Sequence, residues 1–269
     1  MRVRSYGQSG PLVILLHGGP GAPGYMAPVA RGLADRFRVL EPFQRGSGGE
    51  PLTVARHVAD LRELIESDGA GERPALVGSS WGAMLALAFA AAHPDLAGPL
   101  VLVGCGTFDI GARRRMQQIM EARMSPELRE RLARLADEHA DPDLELRARA
   151  TLILPLYSCD LASEDQELAD CDARAHDETW HDMLRLEREG VVPAAFSAIR
   201  GPAIMLHGAV DPHPGRMILA SLKPHIPQLE YREWERCGHY PWLEKAAREI
   251  FFAELKEWLD ARCPLPVAR

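Results

Sequence analysis

The sequence predicts an α/β protein: a mostly parallel central sheet with helices on both faces and an inserted helical cap. Three observations predict it. Short, almost unbroken apolar runs recur along the chain, as in strands buried on both faces. Helical patterns separate these runs, the alternation that gives parallel pairing. Between residues 105 and 200 the strand signals vanish and only helical patterns remain, which reads as an insertion between two core strands.

The elements follow in order. Residues 11–18 (PLVILLHG) form a continuous apolar strand running into glycines, and residues 37–43, 73–78, 98–104 and 201–208 repeat the pattern. Residues 228–234 (QLEYREW) alternate apolar and polar, so this strand belongs at or near an edge. Little chain precedes Pro11, so few strands are expected beyond that side. Thr53 is a candidate N-cap, with Val54, Val58, Leu61 and Ile65 on one helix face. The helix after Ser80 is apolar nearly all round and should stop at Pro94. Residues 242–259 read as an amphipathic C-terminal helix. In the insertion, residues 113–124, 125–140 and 179–190 read as helices. The expected division is a core of residues 1–105 and 200–269, with residues 106–199 as the cap.

Bulk properties narrow the function. The 269 residues suit one large domain with an insertion. With 31 basic against 38 acidic residues, the net charge is −7, which argues against nucleic acid or an anionic membrane as partner. No apolar run is long enough to cross a bilayer. The first ten residues lack an apolar signal core, and the five cysteines are scattered without paired spacing. Both point to a cytoplasmic protein with reduced thiols. The expected partner is a small-molecule substrate; oligomeric state is not legible.

The chemistry is concentrated in three stretches. Gly78-Ser79-Ser80-Trp81-Gly82 fits G-x-S-x-G only with Ser80 at its centre. A nucleophile on a sharp strand-to-helix turn needs small neighbours on either side, because a Cβ there would clash. The turn also places the hydroxyl at a helix N-terminus, where amides favour developing negative charge. A serine needs a base. Asp211 and His239 each lie just past a strand, in the chain order Ser, acid, His. The rivals fit less well: His213 is only two residues from Asp211, His225 lies in a surface segment, and Asp109 opens the insertion. The third stretch, HGGPG (residues 17–21), follows the first apolar strand. Pro20 has no N–H, so Gly19 is the expected oxyanion donor there, with the backbone N–H of Trp81 as its partner. These glycines do not have the spacing of a phosphate cradle or a dinucleotide site. No metal-ligand spacing is present, and no cofactor is expected. The acidic run at residues 163–178 reads as a solvated face.

HGGPG, QRGSG (residues 44–48) and GSSWG together resemble the α/β-hydrolase superfamily, and within it the proline iminopeptidase branch. The resemblance covers roughly residues 10–105 and 200–260. It implies the α/β-hydrolase fold, a Ser80–His239–Asp211 triad and a helical cap over the site. That branch commonly carries an acid before QRG and a Trp-Glu pair in its cap; here Phe43 precedes Gln44 and His181 follows Trp180. Apolar cap residues, Trp180, Met183 and Leu184 among them, are therefore expected to line the substrate pocket. The expectation is a carboxylesterase-like serine hydrolase of small esters or amides. A proline iminopeptidase-like aminopeptidase is the first alternative, and a ligand-binding or sensor protein on the same fold is the second. An aspartate-nucleophile enzyme does not fit, because the elbow carries Ser80.

Overall fold

A computed structural model describes residues 1–69, 71–162, 167 and 169–263. Seven strands form one sheet: β1 (Val3–Tyr6), β2 (Leu12–Leu16), β3 (Arg38–Pro42), β4 (Ala75–Ser79), β5 (Leu100–Val103), β6 (Ala203–Gly208) and β7 (Glu230–Trp234). Their order is β1-β3-β2-β4-β5-β6-β7. β1 pairs antiparallel with β3, and every other pair is parallel. The continuous apolar runs are the central strands: every residue of β2, β4, β5 and β6 is buried. β7, whose residues alternate, is the edge.

The period-2 geometry of a strand sorts its side chains between two cores. Leu12, Ile14 and Leu16 join one cluster with Leu76, Leu100, Leu102 and Met205; Val13 and Leu15 join another with Val77, Val101 and Leu206. Helix α1 (Ala27–Leu33) covers the second face together with α9 (Arg248–Asp260), through Val29, Leu33, Phe251 and Leu255. Helices α2 (Val54–Asp68), α3 (Trp81–Ala92) and α8 (Gly215–Leu222) cover the first. Thr53 caps α2, its side chain accepting from Arg56 N. α3 contributes nine buried residues, which is why its sequence shows no polar stripe.

Between β5 and β6 lie α4 (Ile110–Arg123), α5 (Pro126–Glu138), α6 (Pro142–Ile153), a 3-10 turn at Leu154–Tyr157 and α7 (Ala173–Arg188). No strand occurs among the described residues there.

β1 alone lies beyond β3 at that edge, in line with the few strands expected there, and its residues are only partly buried. One expectation needs correction. The C-terminal helix begins at Arg248, not near residue 242. Residues 241–243 form a 3-10 turn, and Glu244 turns inward to accept backbone amides of Cys159, Asp160 and Gly238.

Candidate active site

The turn from β4 to α3 has the shape its glycines suggest. Ser80 has φ 55° and ψ −118° at the head of α3. It is the one non-glycine residue at positive φ among the described residues. Such a conformation costs roughly 1–3 kcal/mol and persists only where the surroundings impose it. The constraint is visible: a Cβ at Gly78 would stand 2.2 Å from the Gly82 carbonyl oxygen, and one at Gly82 2.0 Å from that of Leu16. Trp81 opens α3, so its N–H is one of the first-turn amides without an intrahelical acceptor. Ser79, the other serine of the pair, is fully buried and receives a hydrogen bond from Tyr25 Oη at 3.3 Å.

Sheet pairing carries the remaining groups to the same rim. Ser80 N donates to Val103 O at the end of β5, and the next residue, Gly104, donates to Leu206 O of β6. Gly104, at φ 53°, leaves room for the His239 ring: a Cβ there would lie 2.8 Å from His239 Nδ1. Asp211 follows β6 and His239 follows β7. His239 Nδ1 lies 2.6 Å from Asp211 Oδ2, and both side chains are almost wholly buried. Burial alone would raise the Asp211 carboxyl; His239, then His213 and His207, more than reverse this and hold it well below the usual carboxylate range. Burial lowers the His239 imidazole, and Asp211 only partly restores it. A neutral imidazole whose Nδ1–H is fixed on an ionised carboxylate leaves Nε2 as an acceptor.

His213, considered a poor partner on sequence grounds, lies in this group. Its N–H and Nδ1 both reach Asp211 Oδ1, at 2.9 and 3.0 Å, and its ring stacks on His239 with centroids 4.7 Å apart. Among the described residues, the donor atoms that converge closely enough for a metal ion, all within 4.8 Å, are those of Asp211, His213 and His239. Both imidazole Nδ1 atoms there donate to the carboxylate, so the contacts are hydrogen bonds.

The opposite side of the site is the residue 17–21 loop. Gly19 has φ 44°. The Gly18 N–H is taken by Tyr25 Oη, which bridges it to Ser79. His17 is fully buried, and burial pushes its pKa down to about 4. Its Nε2 accepts from Gln44 N at 3.1 Å, so Nδ1 carries the proton and donates to Gly18 O at 2.9 Å. Gln44 Nε2 donates to His17 O at 2.8 Å, and Gln44 Oε1 accepts from Trp81 Nε1 at 2.7 Å. The glutamine thus ties the ends of β2 and β3 to the first residue of α3. His17 and Gln44 lie within the HGGPG and QRGSG stretches, whose spacing alone assigns neither of them a role.

The inserted helices are fastened to both sides. Arg123, in the last turn of α4, donates to Leu156 O and to Val210 O, the residue before Asp211. His239 N donates to Tyr157 O at 2.7 Å. Glu244 binds Gly238 N beside His239 and the amides of Cys159 and Asp160. On the side of the residue 17–21 loop, Asp172 accepts from Ser47 N, Glu178 from Leu52 N and Asp182 from Val54 N. The acids expected to be a solvated face therefore include Asp172 and Glu178, which bind core amides; Glu164 and Asp165 lie outside the described residues.

Of the apolar residues expected in the pocket, Met183 is fully buried and belongs to the cluster under α3, Trp180 packs against that cluster, and Leu184 is half-buried. Asp109 caps α4 through Ala112 N, and His225 pairs with Ser197 on the surface. A hollow of about 460 Å³ opens at the far ends of the strands, between Pro11, Arg73, Gly98 and Arg262. No histidine lines it, and Arg73 and Arg262 are engaged by Ala97 O and Glu230.

This fold and rim define a class. The chain matches the alpha/beta hydrolase family over residues 13–251 and belongs to it. It is a hydrolase. Within the family it resembles the proline iminopeptidase of Neisseria gonorrhoeae, at 30% identity over 199 residues, which is 70% of this chain and 60% of that protein. The match thus spans less than two thirds of that relative. The fold is shared with a thermophilic esterase from Thermogutta terrifontis (TM-score 0.65, 22% identity, 98% of this chain and 94% of that one). It is shared equally with the enol-lactonase of Burkholderia xenovorans (TM-score 0.63, 21% identity, 96% and 95%). No helix among the described residues is long and apolar enough to cross a membrane.

Proposed function

We propose that this hydrolase cleaves small esters through an acyl-enzyme on Ser80. The observation that carries the reading is the forced positive φ of Ser80 at the same sheet rim as a buried His239–Asp211 pair at 2.6 Å. In this reading Ser80 Oγ attacks the substrate carbonyl and His239 Nε2 takes its proton. Asp211 holds the tautomer and stabilises the imidazolium. The amides of Gly19 and Trp81 receive the oxyanion, with Gln44 and His17 setting the two loops that carry them. His239 then returns the proton to the departing alcohol, and water, activated by the same base, releases the acid. Residues 106–199 act as the cap, with Trp180 and Leu184 on its substrate side and Met183 packed behind them in the core cluster. No cofactor enters, and a cytoplasmic setting goes with this reading.

The preference for esters rests on the carboxylates. An aminopeptidase must hold a substrate ammonium, and a buried cation needs a carboxylate that faces the cavity with a lone pair to spare. Asp172, Glu178 and Asp182 are engaged by backbone amides and Glu167 by Arg31, while Asp170 and Asp177 are exposed. The second reading, a proline iminopeptidase-like aminopeptidase, is favoured by the Neisseria relative. A comparison of p-nitrophenyl acetate and butyrate with prolyl-p-nitroanilide separates the two. The ester reading expects kcat/KM at least about tenfold higher for the esters. Efficient prolyl-anilide cleavage that disappears when the proline is N-acetylated would establish the aminopeptidase instead.

A further inference from the structure

We propose that His213 is a positioning residue for the reaction above, on which this inference rests: it locks the carboxylate of Asp211 and the ring plane of His239. The local sequence is Asp211-Pro212-His213-Pro214. Pro212 has a fixed φ, and Pro214 disfavours the helical region for the residue before it. His213 therefore projects from a stiff backbone. Its carbonyl is held as well, by His207 Nε2 at 2.8 Å. That contact leaves His207 Nδ1 buried without a hydrogen-bond partner, a penalty tolerated at the end of β6.

From this support His213 makes three contacts with the acid–base pair. Its N–H and its Nδ1–H converge on Asp211 Oδ1, at 2.9 and 3.0 Å, while His239 Nδ1 holds Oδ2 at 2.6 Å. The backbone N–H alone keeps Oδ1 engaged; the imidazole adds a second donor to the same oxygen and so narrows rotation about the Cβ–Cγ bond. The third contact is the stack of the two imidazoles, 4.7 Å apart and 21° from parallel. Tyr157 and Tyr240 meet the His239 ring edge-on, at 5.3 and 4.7 Å, and complete the frame. A loop of Asp-Pro-His type needs only the backbone N–H to form its turn. The side-chain donor and the stack are additional, and both act on the pair that must keep its geometry while a proton moves.

Two substitutions divide these contributions. In His213→Asn the amide nitrogen stands as many bonds from Cα as Nδ1 does, so the donor to Oδ1 is kept and the ring is lost. In His213→Phe the ring is kept and the donor is lost. Loss of one hydrogen bond to a charged group predicts kcat for p-nitrophenyl butyrate lower by about 10- to 100-fold in His213→Phe, with KM nearly unchanged. His213→Asn should recover most of that loss, and the rate of fluorophosphonate labelling should follow kcat in both. If His213→Phe does not fold, as judged by its thermal transition, His213→Ala against His213→Asn gives the same contrast. Wild-type kcat in the donor-less variant, or equal losses in the Asn and donor-less variants, would overturn the proposal. Ser80→Ala and Asp211→Asn are measured alongside. If they are inactive while His213→Phe is unaffected, only the positioning role falls; if they too remain active, the serine mechanism falls with it.

Discussion

The acid–base side of the site and its oxyanion side are held by different means. On the acid–base side, Asp211 is surrounded by His239, His213 and His207, and the inserted helices reach it through Arg123 and the Glu244 amide cluster. The proposed oxyanion side is framed by a buried His17, Gln44 and Trp81, joined by hydrogen bonds between uncharged groups. There the insertion attaches through carboxylates on α7 and just before it, which accept amides of residues 47, 52 and 54. The difference follows from what each side must do. A base needs a fixed counter-charge, whereas an oxyanion pocket needs donors whose strength no nearby anion weakens. Three acids of the insertion, Asp172, Glu178 and Asp182, are used in this way to attach α7 to the core.

The largest effect should come from the charge on the acid–base side. Asp211→Asn should lower kcat on the order of 10⁴-fold, because Asn cannot hold the same tautomer of His239. Asp109→Asn, which alters only the cap of α4, should leave kcat unchanged. Steady-state rates of the two variants test the assignment, and the reverse pattern would move the acid to Asp109.

On the neutral side a smaller loss is expected. Gln44→Ala removes the bonds to His17 O and Trp81 Nε1 but no oxyanion donor itself, so kcat should fall about tenfold, with less effect on KM. Measured kcat as low as that of Asp211→Asn would mean that the glutamine contacts the reacting atoms.

The two sides should also differ in pH response. His239 sits below its ordinary value near 6.5, so activity should rise with pH along a limb centred below about 6.5. Stability reports the other side. His17 and His57 are lowered to about 4 by burial. Between pH 4 and about 6.5 the unfolded chain binds more protons at these positions, so stability rises with pH across that window. Each can contribute about 3 kcal/mol at most. The thermal midpoint should drop clearly from pH 7 to pH 4.5, and His57→Gln should reduce the drop; an unchanged midpoint would mean that both imidazoles accept protons without cost.

Much of this was legible in the sequence, and the exceptions have physical causes. β2, β4, β5 and β6 were readable because strands buried on both faces must be apolar throughout. Ser80, Asp211 and His239 were readable because a strand end next to glycines or a turn marks the rim. β1 was not, since VRSY is half-exposed and pairs with a strand more than thirty residues away. α6 has no buried residue, so it carries no apolar stripe to find. Glu244 and Asp172 accept backbone amides contributed by other loops, up to 125 positions distant in the case of Asp172 and Ser47, and Gln44 binds the His17 carbonyl and the Trp81 indole. Pattern within a window cannot show such contacts, and a carboxylate bound to an amide looks in sequence like one bound to water.

The central claim is that Ser80, and not its neighbour, carries the reaction. Intact-mass spectrometry after treatment with a fluorophosphonate tests it most directly. The account predicts one adduct on the wild-type chain, the same adduct on Ser79→Ala, and none on Ser80→Ala, with ester turnover following the adduct in each. An adduct that survives Ser80→Ala and is lost in Ser79→Ala would contradict it.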